Sequence, residues 1–164
     1  PDKTTADSSA TTKATTENTT EAPKKTYSCT ISIGCSTIFD NLELLRPEKK
    51  DYVPDDGVIL GTVTATFEEG DTVFEVLKSV CRDYGIQLEY SWTPMYGSYY
   101  IEGIHNLYEF DCGDGSGWMY SVNGWFPNYG CSKYKLRDGQ VIEWVYTCSL
   151  GTDVGCYFVG GEEK

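Results

Sequence analysis

Residues 117–148 read GWMYSVNGWFPNYGCSKYKLRDGQVIEWVYTC, and the order of turns and apolar positions within them decides the fold. Trp118–Val122 alternates as a strand. Asn123-Gly124 accepts the two positive φ angles of a type I′ turn, and Trp125-Phe126 is expected to begin the return of a hairpin. Arg137-Asp138-Gly139 is a second turn, after which Val141–Thr147 alternates with period two, as a half-buried strand does. Strand parity puts Trp118, Tyr120 and Val122 on one side and Met119 and Ser121 on the other. The residues of the turn tip, Trp125, Phe126 and Tyr129, are then expected either to escape the interior and present a flat or grooved aromatic surface, or to form a second small core under the Tyr96 loop.

Working outward, Tyr27–Gly34 reads as a first strand with Cys29, Ile31, Ile33 and Cys35 on one side. A polar insert over 36–57 carries Arg46-Pro47 and Val53-Pro54, which interrupt regular structure; Asp40–Leu45 is expected to form a helical turn there. Val58–Glu68 returns as a long strand, with Gly61 marking a bulge. One helix is clear. Thr72 and Glu75 form a capping box, Asp71 lies at the positive end of the helix dipole, Gly85 is placed as the C′ residue, and Val73, Val76, Leu77, Val80 and Tyr84 make the apolar stripe. Ile86–Trp92 and Tyr99–Ile104 are strands around a loop containing Pro94. A single helix among antiparallel strands can bury its stripe only on one sheet face, so the fold class is α+β, a helix laid across a curled sheet.

Together with Cys29-Thr-Ile-Ser-Ile-Gly-Cys35, Asp56-Gly-Val-Ile-Leu, Gly70-Asp-Thr-Val-Phe-Glu-Val-Leu and Tyr108-Glu-Phe-Asp-Cys-Gly113, the ordered set of the opening stretch resembles the transcobalamin-like C-terminal domain family. That family is also catalogued as a domain of unknown function in bacterial surface proteins, and is similar to the C-terminal domain of transcobalamin and intrinsic factor. The resemblance covers roughly residues 27–155. It implies a β-grasp-like antiparallel or mixed sheet with one helix packed across it. It also implies cobalamin or a related corrinoid as ligand, approached by Trp118, Asn123, Trp125, Phe126, Pro127 and Tyr129. In the family this domain covers one face of the cobalamin while a helical domain, which these 164 residues do not contain, grips the other.

Composition narrows the function. Residues 1–26 are rich in Thr, Ser and Ala and have no apolar periodicity, so they read as a disordered linker or stalk ahead of one domain over 27–164. The acidic and basic residues of the linker balance, which leaves the whole formal charge of −12 on the domain. Such a surface repels polyanions, so nucleic acid is not an expected partner, and no apolar run is long enough for membrane insertion. Starting at Pro1, inside the linker, the chain reads as a processed or truncated piece of a larger surface protein with neighbouring domains.

Seven cysteines suggest an oxidising, extracellular setting, secreted or attached to a cell wall. Cys112 and Cys131 flank the aromatic unit and are expected to form a disulfide, with Cys156 as the odd thiol. No Cys-x2-Cys pair exists and His105 is the sole histidine, so neither a zinc site nor a nucleophile–base pair is in place. Asp51, Asp55, Asp56, Glu68, Glu69 and Asp71 lack the twelve-residue calcium pattern, and Asp111–Ser116, with oxygen ligands at plausible spacing and abundant glycine, reads as a solvated turn. The expected function is therefore a non-catalytic extracellular ligand-binding module of a bacterial surface protein, with an adhesive or structural module for glycan or protein as the alternative.

Overall fold

The computed structural model describes residues 22–156; most of the expected linker, residues 1–21, and the segment 157–164 lie outside them. Seven strands and one α-helix follow in the order β1 (Thr26–Gly34), β2 (Val58–Glu68), α1 (Val73–Tyr84), β3 (Leu88–Thr93), β4 (Ser98–Ile104), β5 (Leu107–Tyr108), β6 (Gly117–Val122) and β7 (Val141–Thr147). They form a mixed four-stranded sheet, β2-β1-β7-β6, and a second three-stranded antiparallel sheet, β3-β4-β5.

At the centre of the larger sheet β1 and β7 run parallel, with Ile31 opposite Ile142 and Ile33 opposite Trp144. A parallel pair needs a long crossover, and here everything from β2 to the loop before β7 supplies it. The outer pairs, β1–β2 and β6–β7, are antiparallel. Mixed order and a helix on one face agree with the arrangement expected from the sequence. Gly61 sits where three residues of β2 span two of β1, Ile31 pairing with Val63 and Ile33 with Leu60, which is the bulge that the glycine signalled.

The inner face of this sheet is aliphatic on β1 and aromatic on β6 and β7. Ile31, Ile33, Trp118, Tyr120, Ile142, Trp144 and Tyr146 are all buried in one cluster. Helix α1 adds Val73, Phe74, Val76, Leu77, Val80 and Cys81 to the same cluster. Its start is fixed by the Thr72 amide donating to the Glu75 carboxylate at 2.7 Å, and its end by Gly85 at φ 67°. Tyr84 is 55% exposed and leaves the stripe at that last turn.

Three expectations are corrected. First, the Asn123-Gly124 turn forms as read, with φ of 51° and 78° and paired bonds between Val122 and Trp125, but no strand returns from it. Pro127 has no N–H to give a ladder, and β6 pairs instead with β7 after a loop over 126–140. Second, the insert is more regular than expected: two short 3-10 helices, Ser36–Asn41 and Pro47–Tyr52, accompany the turn read over 40–45, in which the Leu44 and Leu45 amides donate to the Asn41 and Leu42 carbonyls at 2.9 and 3.3 Å. The chain coils earlier because Ile38 is drawn into the core, and again after Pro47, which suits a helix's first position.

Third, Cys112 and Cys131 are not joined. All seven cysteines are free thiols and all are buried. The Cys112 thiol meets the Asn41 carbonyl at 3.4 Å and the sulfur of Cys148, whereas the Cys131 thiol faces the Tyr99 carbonyl at 3.7 Å. Cys156, the expected odd thiol, is 5% exposed and lies beside Gly151.

Candidate ligand-binding site

Where β4 approaches β6 at the seam of the two sheets, a cavity of about 170 Å³ opens. Tyr99, Tyr100 and Ile101 of β4 form one wall, Trp118, Met119 and Tyr120 of β6 with Trp144 of β7 form the other, and Pro127, Tyr129, Gly130 and Cys131 close it from the loop after the Asn-Gly turn. Strand alternation explains why the rings of Trp118 and Tyr120 project from the same face of β6. Trp144 is directly opposite Tyr120 in the β6–β7 register, their ring centroids 5.3 Å apart. On the β4 side, Tyr99 stacks on Phe74 of α1 at 4.5 Å and is held edge-on by Tyr90 and Trp92.

Hydrogen bonds fix the rings. Trp118 Nε1 donates to the Leu107 carbonyl at 2.8 Å, which ties β6 to β5, and the Tyr120 hydroxyl donates to the Tyr129 carbonyl at 2.8 Å, which ties β6 to the loop. Gly130 is required by close approach: a Cβ there would lie 1.9 Å from Ser98 Oγ. The indole nitrogen of Trp144 has no hydrogen-bond partner among the described residues, although Trp144 is only 2% exposed.

No carboxylate and no basic side chain lines the cavity. Burial pushes the Cys131 thiol up to about 12, with Glu75 adding to the rise, and burial also raises the Tyr120 hydroxyl above its ordinary value. Tyr100 is raised as well, first by burial and then by its hydrogen bond to Glu109 at the rim. All three are protonated at neutral pH, so the lining is uncharged. Among the described residues no cluster of His, Cys, Asp or Glu has metal-holding geometry. Asp111, read as a solvated turn residue, is 3% exposed and ion-paired with Lys49 at 3.2 Å and Arg46 at 3.7 Å.

Of the residues singled out in the sequence, Trp118, Pro127 and Tyr129 stand in the cavity wall. Asn123, Trp125 and Phe126 stand off it. Asn123 serves the turn, its side-chain oxygen accepting from the Val141 amide at 2.8 Å, and the half-buried Trp125 packs its ring against Tyr129 and Tyr134 rather than projecting into solvent. Tyr99, Tyr100, Ile101 and Trp144 were missed as site residues. The β7 alternation did carry a signal for Trp144, whereas nothing local announces that β4 will meet β6.

Residues 70–148 match the model of a family described as a domain of unknown function, DUF4430. The match takes in β4, β6, β7 and the closing loop, and so every residue that lines the cavity. No curated protein matches the chain. Among solved structures, haptocorrin in complex with Cbi is similar at a TM-score of 0.51 and 16% identity over 79% of this chain, a likeness of fold. The chain spans 27% of the length of haptocorrin. A protein from Ruminococcus gnavus ATCC 29149, to which metal binding is ascribed, is similar at a TM-score of 0.43 and 15% identity, over 74% of this chain and 96% of that one.

Proposed function

We propose that this chain, which matches the DUF4430 family model over residues 70–148 and shares a transcobalamin-like fold, is a non-catalytic binding module whose small-molecule ligand is a corrinoid. The observation that carries this reading is the aromatic cavity at the β4–β6 seam, walled by side chains from both sheets and closed by the Pro127–Cys131 loop. Its fold is shared with a protein that takes Cbi, which supports the choice of ligand. At about 170 Å³ the cavity is smaller than the ~300–1,000 Å³ of a site for a whole drug-sized ligand, so a corrinoid would place one peripheral group in it and lay the remainder on the rim. We propose an extracellular setting on a bacterial surface protein, in keeping with the Thr-rich stretch that precedes the domain.

Titration with cyanocobalamin, followed by the fluorescence of Trp118 and Trp144, tests the reading. Saturable quenching that is lost on blocking the cavity supports it, and an unchanged spectrum at saturating ligand counts against it. A second reading, adhesion to glycan, is favoured by the tip of the β3–β4 hairpin, where Trp92, Met95 and Tyr96 are 52%, 85% and 61% exposed. Retention of the isolated domain on a glycan array, abolished by Trp92→Ala and indifferent to corrinoid, would favour that reading instead.

A further inference from the structure

Two residues with large apolar side chains stand in the left-handed region of the backbone, Phe110 at φ 69° and Leu150 at φ 54°, and both are exposed, at 53% and 78%. Glycine or asparagine takes that conformation at little cost. A leucine or phenylalanine is strained there, and a side chain left in solvent gains no burial to offset the strain. One loop holds both. The Phe110 amide donates to the Ser116 carbonyl at 3.0 Å, and the Leu150 amide to the Gly115 carbonyl at 2.9 Å. The loop is fixed internally, since Ser116 Oγ donates to the Gly113 carbonyl at 2.7 Å and accepts from the Cys112 amide at 3.1 Å.

The two glycines leave the loop backbone bare against apolar side chains. A Cβ on Gly113 would lie 3.2 Å from Leu44 Cδ1, and one on Gly115 would lie 3.4 Å from Leu150 Cγ, so the two leucines border neighbouring parts of the loop. Leu44 is itself 49% exposed. Carboxylates surround this surface. Asp114 is exposed within the loop, Glu43 lies within electrostatic reach of the Cys112 thiol, and Asp40 and Asp153 lie within reach of the Cys148 thiol. Arg46 and Lys49, the basic residues alongside, are paired with Asp111. A second copy of the chain would set these carboxylates against their own kind, with a formal charge of −12 on each molecule, so the surface does not suit self-association.

We propose that the surface formed by Leu44, Leu150 and the Gly113–Ser116 loop is a docking site for an amphipathic segment of a partner protein, whose apolar face covers the leucines and whose basic side chains meet the surrounding carboxylates. The strained backbone at Leu150 is kept because it presents the side chain for that contact. None of these residues lines the β4–β6 cavity, so the two sites are separate.

Three synthetic peptides test this on the whole chain: one of leucine and lysine with its leucines on one helical face, one with glutamate in place of lysine, and one with serine in place of leucine. Each is titrated into the 15N-labelled protein while the amides of Gly113, Gly115 and Leu150 are followed. Only the leucine–lysine peptide is expected to shift them. Leu150→Asn should weaken that peptide about tenfold, as the loss of one buried leucine does, while its melting temperature stays level or rises because asparagine accepts the left-handed backbone. Leu44→Ser should weaken the peptide as well, and it keeps the test if Leu150→Asn does not fold. Equal binding of the serine–lysine peptide, unmoved loop amides, or undiminished binding to the variants would overturn the inference. A lowered melting temperature in Leu150→Asn would also overturn it, by showing that the leucine serves folding. Loop amides that shift with protein concentration alone would make a second copy the occupant and overturn it too.

Discussion

The hydroxyl of Tyr120 donates to the backbone carbonyl of Tyr129 at 2.8 Å, and both residues line the cavity, so one bond fixes the closing loop to the sheet. Tyr120→Phe keeps the ring and removes the tie. Leaving a carbonyl short of its donor should cost about 1 kcal/mol of unfolding free energy in urea, and corrinoid affinity should fall several-fold because the loop no longer has a fixed position. An unchanged affinity with the expected stability loss would mean that the loop takes no part in binding.

Gly130 tests the close approach on the other side of the loop. Gly130→Ala places a methyl 1.9 Å from Ser98 Oγ and 2.3 Å from its Cβ. Ser98 is 1% exposed and bonded to Ser132 Oγ at 2.8 Å, so it has nowhere to move. Overpacking of this kind costs about 1–3 kcal/mol. Combining it with Ser98→Gly should recover part of the loss, giving a double variant more stable than the two single effects predict. Simple additivity would show that the two residues do not collide.

Alkaline pH should destabilise the fold. Burial raises the thiol of Cys29 from 9.0 to about 11 and those of Cys35, Cys81, Cys112 and Cys131 to about 12. Between about pH 9 and 12 the unfolded chain has lost protons that the folded chain retains. The stability these groups confer is therefore complete below pH 9 and declines as pH rises through that window. Melting temperatures across pH 7 to 11 under reducing conditions should be level at first and then fall, and a level profile throughout would contradict the burial of the thiols.

Oxidation discriminates among the sulfurs. The thiols of Cys112 and Cys148 lie within hydrogen-bonding reach of each other, while Cys131 sits against Tyr99. With oxidised glutathione as acceptor of the two electrons and two protons, any bond that Cys112 makes within the folded chain should be to Cys148. Non-reducing peptide mapping reads this directly, and a Cys112–Cys131 peptide would refute the placement.

What the sequence showed and what it hid divide along sequence distance. The Thr72–Glu75 capping box, the Gly85 stop, the Asn123-Gly124 turn and the side assignment of Trp118 and Tyr120 depend on neighbours a few residues away, and each is found as read. The parallel pairing of β1 with β7 and the second sheet depend on contacts across much of the chain, which no local pattern encodes. The site follows the same rule. Parity placed Trp118 on the inner face, but the ligand role of Trp125 and Phe126 was implied by resemblance alone; neither lines the cavity, and Trp125 packs against Tyr134 instead. Cysteine pairing failed for a related reason, since flanking a hairpin in sequence is no guide when the hairpin's return strand lies elsewhere.

The central claim is that the β4–β6 cavity is where a ligand binds. A crystal structure of the protein grown with cyanocobalamin tests it most directly. The account predicts ligand density with one peripheral group between Tyr99 and Trp144, under the Pro127–Cys131 loop. An empty cavity with the corrinoid seated elsewhere, or no corrinoid at all, would contradict it.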